Sequence, residues 1–123
     1  MKRLAVLLLM TAALWAQGAK KQFLITLKLT KPELIMSATP EEKKILADHF
    51  AHLKAQNANG LVVFAARTLE LDPTGLVIIE AADEKQAQTV MDNDPAIKAG
   101  IFKGTLAPLQ IVLKAPAPAA AKP

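Results

Sequence analysis

Two apolar runs, "LVVFAA" at 61–66 and "LVIIEAA" at 76–82, are joined by "RTLELDPTG" at 67–75, and this arrangement restricts the fold more than any other feature of the chain. Both runs are rich in β-branched residues and too short for a buried helix, so they predict strands. Asp72-Pro73-Thr74-Gly75 has turn chemistry, which makes the pair a hairpin. A strand with one face in water alternates apolar and polar residues, and these runs barely alternate. The sheet they belong to therefore needs cover on both faces.

The flanking segments supply the rest of one small domain. In "FLITLKLT" at 23–30, Phe23, Ile25, Leu27 and Leu29 alternate with their neighbours at a period of two, predicting a first strand that Lys31-Pro32 ends. "TPEE" at 39–42 then offers Thr39 as N-cap, Pro40 at the first helical position and Glu42 three residues after the cap, a capping box. A helix is expected over 40–57, closed by Asn59-Gly60, where glycine takes the left-handed conformation. Asp83 opens a shorter helix with Ala87, Val90 and Met91 on one side, and Asp94-Pro95 breaks or redirects it. "TLAPLQIVLK" at 105–114 closes the domain as a fourth strand, with Pro108 at an edge or bulge. The order β-α-β-β-α-β predicts an α+β, ferredoxin-like protomer: an antiparallel four-stranded sheet with two helices on one face. Its uncovered face is expected to pack on a second copy of the chain around a two-fold axis, giving a homodimer. The C-terminal segment or another partner is the competing cover.

The two ends read differently from the domain at 22–114. Met1-Lys2-Arg3 precedes an apolar run from Leu4 to Leu14, followed by small residues at Ala16, Gly18 and Ala19, the layout of a signal peptide over 1–16 with cleavage up to position 19. The run falls short of the roughly 20 residues that span a bilayer, so the expectation is export to the periplasm or the medium, with no membrane association after processing. "APAPAAAKP" at 115–123 reads as an extended tail. There is no cysteine, so an exported domain must hold together by its core alone.

Charge and composition exclude several functions. Once Lys2 and Arg3 are set aside, 13 basic residues face 11 acidic ones, the bases are scattered and tyrosine is absent, which removes a nucleic-acid footprint. Five glycines form no phosphate-binding loop, and Ser37, the single serine, has no visible base beside it. His49 and His52, the only histidines, stand three apart in "ADHFAHLK" at 47–54. With no cysteine to complete a ligand set, no metal or cofactor is expected there.

The two histidines leave two readings open, packed side chains or acid/base chemistry. At about 100° per residue, Ile45, Leu46, Phe50 and Leu53 define an apolar arc on the first helix, with His49 inside it and His52 at its edge. A buried imidazole needs a polar partner. Asp94, held in "DNDPAIKAG" at 92–100 before Pro95, either caps the turn that follows or pairs with a side chain. His49 is correspondingly either a satisfied core histidine or a proton-transfer group.

"HFAHLK", Gly60, "AART" after a strand and "NDPAIKAG" before the last strand together resemble the YCII-related family, across essentially the whole domain. The resemblance implies a dimeric α+β barrel and a histidine–aspartate catalytic pair, here His49 and Asp94, acting on a small molecule in a lyase or isomerase type of step. One branch of the family is similar to a dehydrochlorinase acting on a chlorinated hydroxyquinol. Ala66-Arg67-Thr68 replaces a Gly-Arg-Thr common in the family, and His52 stands where an aromatic residue is common. Arg67 and His52 are the expected ligand-binding residues, Arg67 toward an anionic oxygen and His52 at the pocket mouth. The rival reading is a non-catalytic dimer that binds a small ligand or serves as an interaction module.

Overall fold

The structure, a computed structural model, describes residues 19–118. The predicted signal segment over 1–16 and the last residues of the tail lie outside them. The elements run β1 (Lys21–Leu29), α1 (Leu34–Ser37), α2 (Pro40–Ala58), β2 (Val62–Arg67), β3 (Thr74–Ala81), α3 (Glu84–Asp92), α4 (Pro95–Lys98) and β4 (Phe102–Leu109). The strands form one antiparallel sheet in the order β2-β3-β1-β4. This is the ferredoxin-like α+β arrangement, with two one-turn helices, α1 and α4, added at the connections.

Alternation explains which residues face the helices. Phe23, Ile25 and Leu27 of β1 sit opposite Ile79, Val77 and Gly75 of β3, and all but the glycine are buried. Val62 joins them from β2, and Ala87 and Val90 of α3 close over them. A second, smaller cluster of Leu34, Ala96 and Ile101 ties α1 and α4 to the start of β4. Phe102 packs against both clusters.

The continuous apolar character of "LVVFAA" has a local cause. A strict period of two would put Val62 and Phe64 on one face, but the register shifts between them: Val62 faces Ile79 while Phe64 faces Ile78. The extra residue, Val63, is a bulge. Phe64 is thereby turned to the outer face, in one cross-strand row with Ile78, Leu24 and Ala107. That face carries no helix, and Phe64 is exposed there.

Helix α2 starts as the sequence requires. The Thr39 hydroxyl accepts the Glu42 N–H at 3.1 Å and the Glu42 carboxylate accepts the Thr39 N–H at 2.9 Å. That backbone N–H, followed by the Thr39 side chain, holds the Glu42 carboxyl below its ordinary range. The inward side of α2 differs from the expected arc in one residue. Ile45, Leu46, His49, His52, Leu53 and Gln56 are half-buried, whereas Phe50 is 62 % exposed, its ring 5.7 Å from the Lys54 amine. The half-buried set spans about 120° of the helix with His49 near its centre, and Phe50 falls about 100° from that centre.

Candidate active site

His49 reaches the sheet side of α2 because its spacing puts it there, and it meets the one buried charged residue among those described. Asp94 is 3 % exposed, and its Oδ2 lies 2.6 Å from His49 Nδ1. The other oxygen, Oδ1, accepts the Ala96 N–H at 2.9 Å as the N-cap of α4. The two alternatives for this aspartate are therefore both realised, one oxygen for each. Pro95 enforces the arrangement: it keeps Asp94 extended, at φ −67° and ψ 122°, which aims the carboxylate back at α2 instead of outward along α3.

The pairing fixes the tautomer. A carboxylate only accepts, so Nδ1 of His49 carries the proton and donates, and the neutral ring keeps its lone pair on Nε2. Among the described residues Nε2 has no hydrogen-bond partner, yet no buried side-chain nitrogen or oxygen there is left unpartnered. Nε2 therefore faces accessible space. The ring itself rests against Phe102, with centroids 5.0 Å apart and planes inclined by 58°, between the two apolar clusters. The result is a fixed imidazole with one nitrogen anchored and the other available for proton transfer.

The other two predicted residues are not brought to this point. His52 lies one turn further along α2 and turns inward, but its Nε2 sits 2.9 Å from the Val90 carbonyl of α3. A carbonyl only accepts, so Nε2 is the protonated nitrogen, and this neutral ring holds the opposite tautomer to His49. Arg67 ends β2, is exposed, and pairs with Gly75, which in turn pairs through Leu27 with Gly104. At ~4.8 Å per strand, it stands about 14 Å from β4. A surface cavity of about 510 Å³ lies elsewhere, at the far end of the sheet between Lys21, Phe23, Glu84, Pro108 and Leu109. It contains no buried polar group and no histidine, so the chemistry points to His49 instead.

Two glycines set how α3 and α4 pack on β4, a contribution that residue patterns do not reveal. A Cβ on Gly104 would stand 2.8 Å from Ile97 Cδ1 and 2.9 Å from Met91 Sδ, so glycine lets α3 and α4 settle onto β4. Gly100, at φ 73°, turns the chain from α4 into β4.

The family profile of the YCII-related domain matches residues 13–106. No curated protein matches the chain. Among solved structures it is similar to the 5-chloro-2-hydroxyhydroquinone dehydrochlorinase of Burkholderia phenoliruptrix AC1100 in complex with 2,5-dihydroxybenzoquinone. That match has 22 % identity and a TM-score of 0.57, and it covers 72 % of this chain and 93 % of the other.

Proposed function

The chain belongs to the YCII-related family, and on that footing we propose that it is an acid/base enzyme acting on a small organic molecule, with His49 as the proton-transfer group and Asp94 as its partner. The observation that carries the reading is the 2.6 Å contact between His49 Nδ1 and Asp94 Oδ2, which leaves Nε2 open. In the proposed step Nε2 removes a proton from an O–H or an activated C–H of the ligand, and Asp94 stays hydrogen-bonded to the resulting imidazolium. A leaving group departing from the ionised ligand would complete a lyase reaction, and return of the proton at another carbon an isomerisation. The similar dehydrochlorinase, named for a chlorinated hydroxyhydroquinone, makes phenolic and quinol compounds the first class to try.

The proposal includes a dimer. Phe64, Ile78, Leu24 and Ala107 form an apolar row on the outer sheet face, beside Ala66, Leu76, Thr26 and Thr105, and a second copy meeting this face would remove both rows from water. Ile78→Glu is expected to shift the sedimentation equilibrium to a monomer; an unchanged mass would remove the dimer from the proposal.

The test of function is turnover of a panel of phenols, quinols and lactones by the wild type, His49→Ala and Asp94→Asn. Turnover that falls at least 100-fold in His49→Ala supports the acid/base reading. Saturable binding without turnover, equal in wild type and both variants, selects the ligand-binding module instead.

A further inference from the structure

The last turn of α3 is broken in a way that engages both histidines. In a continuing helix the Asp94 N–H would bond the Val90 carbonyl four residues back. It bonds the Met91 carbonyl instead, at 3.1 Å. Asn93, at φ −87° and ψ 0°, makes the break by turning the Asp94 N–H away from Val90, and the extended Asp94 that follows delivers its carboxylate to His49. Val90 is 6 % exposed, so the carbonyl it frees lies in an apolar setting and needs a donor. His52 supplies one at 2.9 Å. His49 and His52, three apart on the inward side of α2, thus each bind one of the two groups that the break exposes.

We propose that His52 is a positioning residue: by occupying the Val90 carbonyl it prevents α3 from winding on through Asp94 and so keeps the Asp94 carboxylate against His49. The inference rests on the acid/base reading for its significance. The competition is geometric: Pro95 holds Asp94 extended in either case, and the imidazole of His52 at the Val90 carbonyl keeps the Asp94 amide, with the carboxylate beyond it, from turning toward Val90. A residue at 52 without an N–H leaves the Val90 carbonyl to the Asp94 amide. Its rotation toward Val90 withdraws the side chain from α2. Glutamine, with an amide N–H near the reach of Nε2, restores the donor.

The experiment reads the Nδ1-bound proton of His49 by ¹⁵N–¹H NMR in wild type, His52→Phe, His52→Gln and Thr39→Ala. Thr39→Ala weakens α2 at its distant cap and controls for general destabilisation. The expected result is a protected Nδ1 proton in wild type, His52→Gln and Thr39→Ala, and at least a tenfold faster exchange of that proton in folded His52→Phe. An unchanged exchange rate in His52→Phe overturns the proposal, as does equal acceleration in Thr39→Ala. If His52→Phe does not fold, the wild type and His52→Gln decide. A protonated Nε2 on His52 together with a protected His49 proton in the glutamine variant supports the proposal, and an unprotonated Nε2 or loss of that protection overturns it. The acid/base reading fails by a separate route, the absence of His49-dependent turnover, which this measurement does not use.

Discussion

Asp94→Asn isolates what the carboxylate does, because asparagine keeps the shape and one of the two acceptors. Its Oδ1 still accepts the Ala96 N–H, whereas an amide NH₂ now occupies the place of Oδ2, 2.6 Å from a nitrogen that also carries a proton. Two donors cannot share that contact, so the ring must move its proton to Nε2 and accept at Nδ1. A charge-assisted bond of about 1.5–3 kcal/mol is exchanged for a neutral one of about 0.5–1.5 kcal/mol, and relief of the buried charge offsets part of the difference. The net loss should be about 1 kcal/mol, or roughly 4–8 °C in Tm for a domain of this size. Asp94→Ala removes both bonds and leaves the Ala96 N–H and the imidazole unpaired. At about 1–3 kcal/mol for each orphaned group, it should cost roughly 3–4 kcal/mol. The assay is urea unfolding of the three proteins alongside ¹⁵N shifts of the His49 ring. Equal destabilisation by the two variants, or an Nδ1 proton that persists in Asp94→Asn, would refute the geometry on which the site depends. If the tautomer does switch, Nε2 has lost its lone pair, and a proton-transfer activity should fall by about 10²–10⁴-fold while ligand binding is retained.

Ile79 is wholly buried at the centre of the larger cluster, so Ile79→Ala should cost about 3–4 kcal/mol in chemical unfolding, a large share of the stability of a small domain. Gly104→Ala should destabilise by about 1 kcal/mol, since its new methyl displaces only the flexible ends of Ile97 and Met91. The same push should broaden the His49 resonances, and a variant as stable as wild type with unchanged spectra would contradict the close packing of α4 on β4. Thr39→Ala should weaken α2 by about 1 kcal/mol by circular dichroism. Because the folded state holds the Glu42 carboxyl below its ordinary range, the stability Glu42 contributes is present above the ordinary carboxylate range and lost as pH falls through the lowered value. Glu42→Gln should therefore flatten the acid limb of the stability profile, and an unaltered limb would count against the capping box.

The parts of the fold that local chemistry dictates were readable from residues alone. Thr39, Pro40 and Glu42 satisfy the free N–H groups of α2 within one turn of chain, and Asp83 does the same for α3 by accepting the Gln86 N–H. The element order followed from the succession of periods. Phe50 was misplaced because the apolar arc on α2 counts hydrophobic residues, whereas the buried side is decided by where the helix rests on β2 and α4, and a phenyl ring shielded by Lys54 tolerates water. The bulge at Val63 left no local signature, since valine suits a regular strand equally well. Resemblance named His49 and Asp94 as a pair, but the division of labour between the two oxygens of Asp94 was not legible.

The sequence by itself determined the element order, the capped start of α2, the inward turn of His49 and the restraint that Pro95 places on Asp94, because each is settled by neighbours within a few positions along the chain. Only the tertiary structure decided which groups those residues meet. The contacts of His49 with Asp94 and of His52 with Val90 span 45 and 38 positions. They exist because α2 and the α3–α4 junction pack side by side on one sheet, and the burial that brings them together is collective, with no counterpart in the spacing of any single motif.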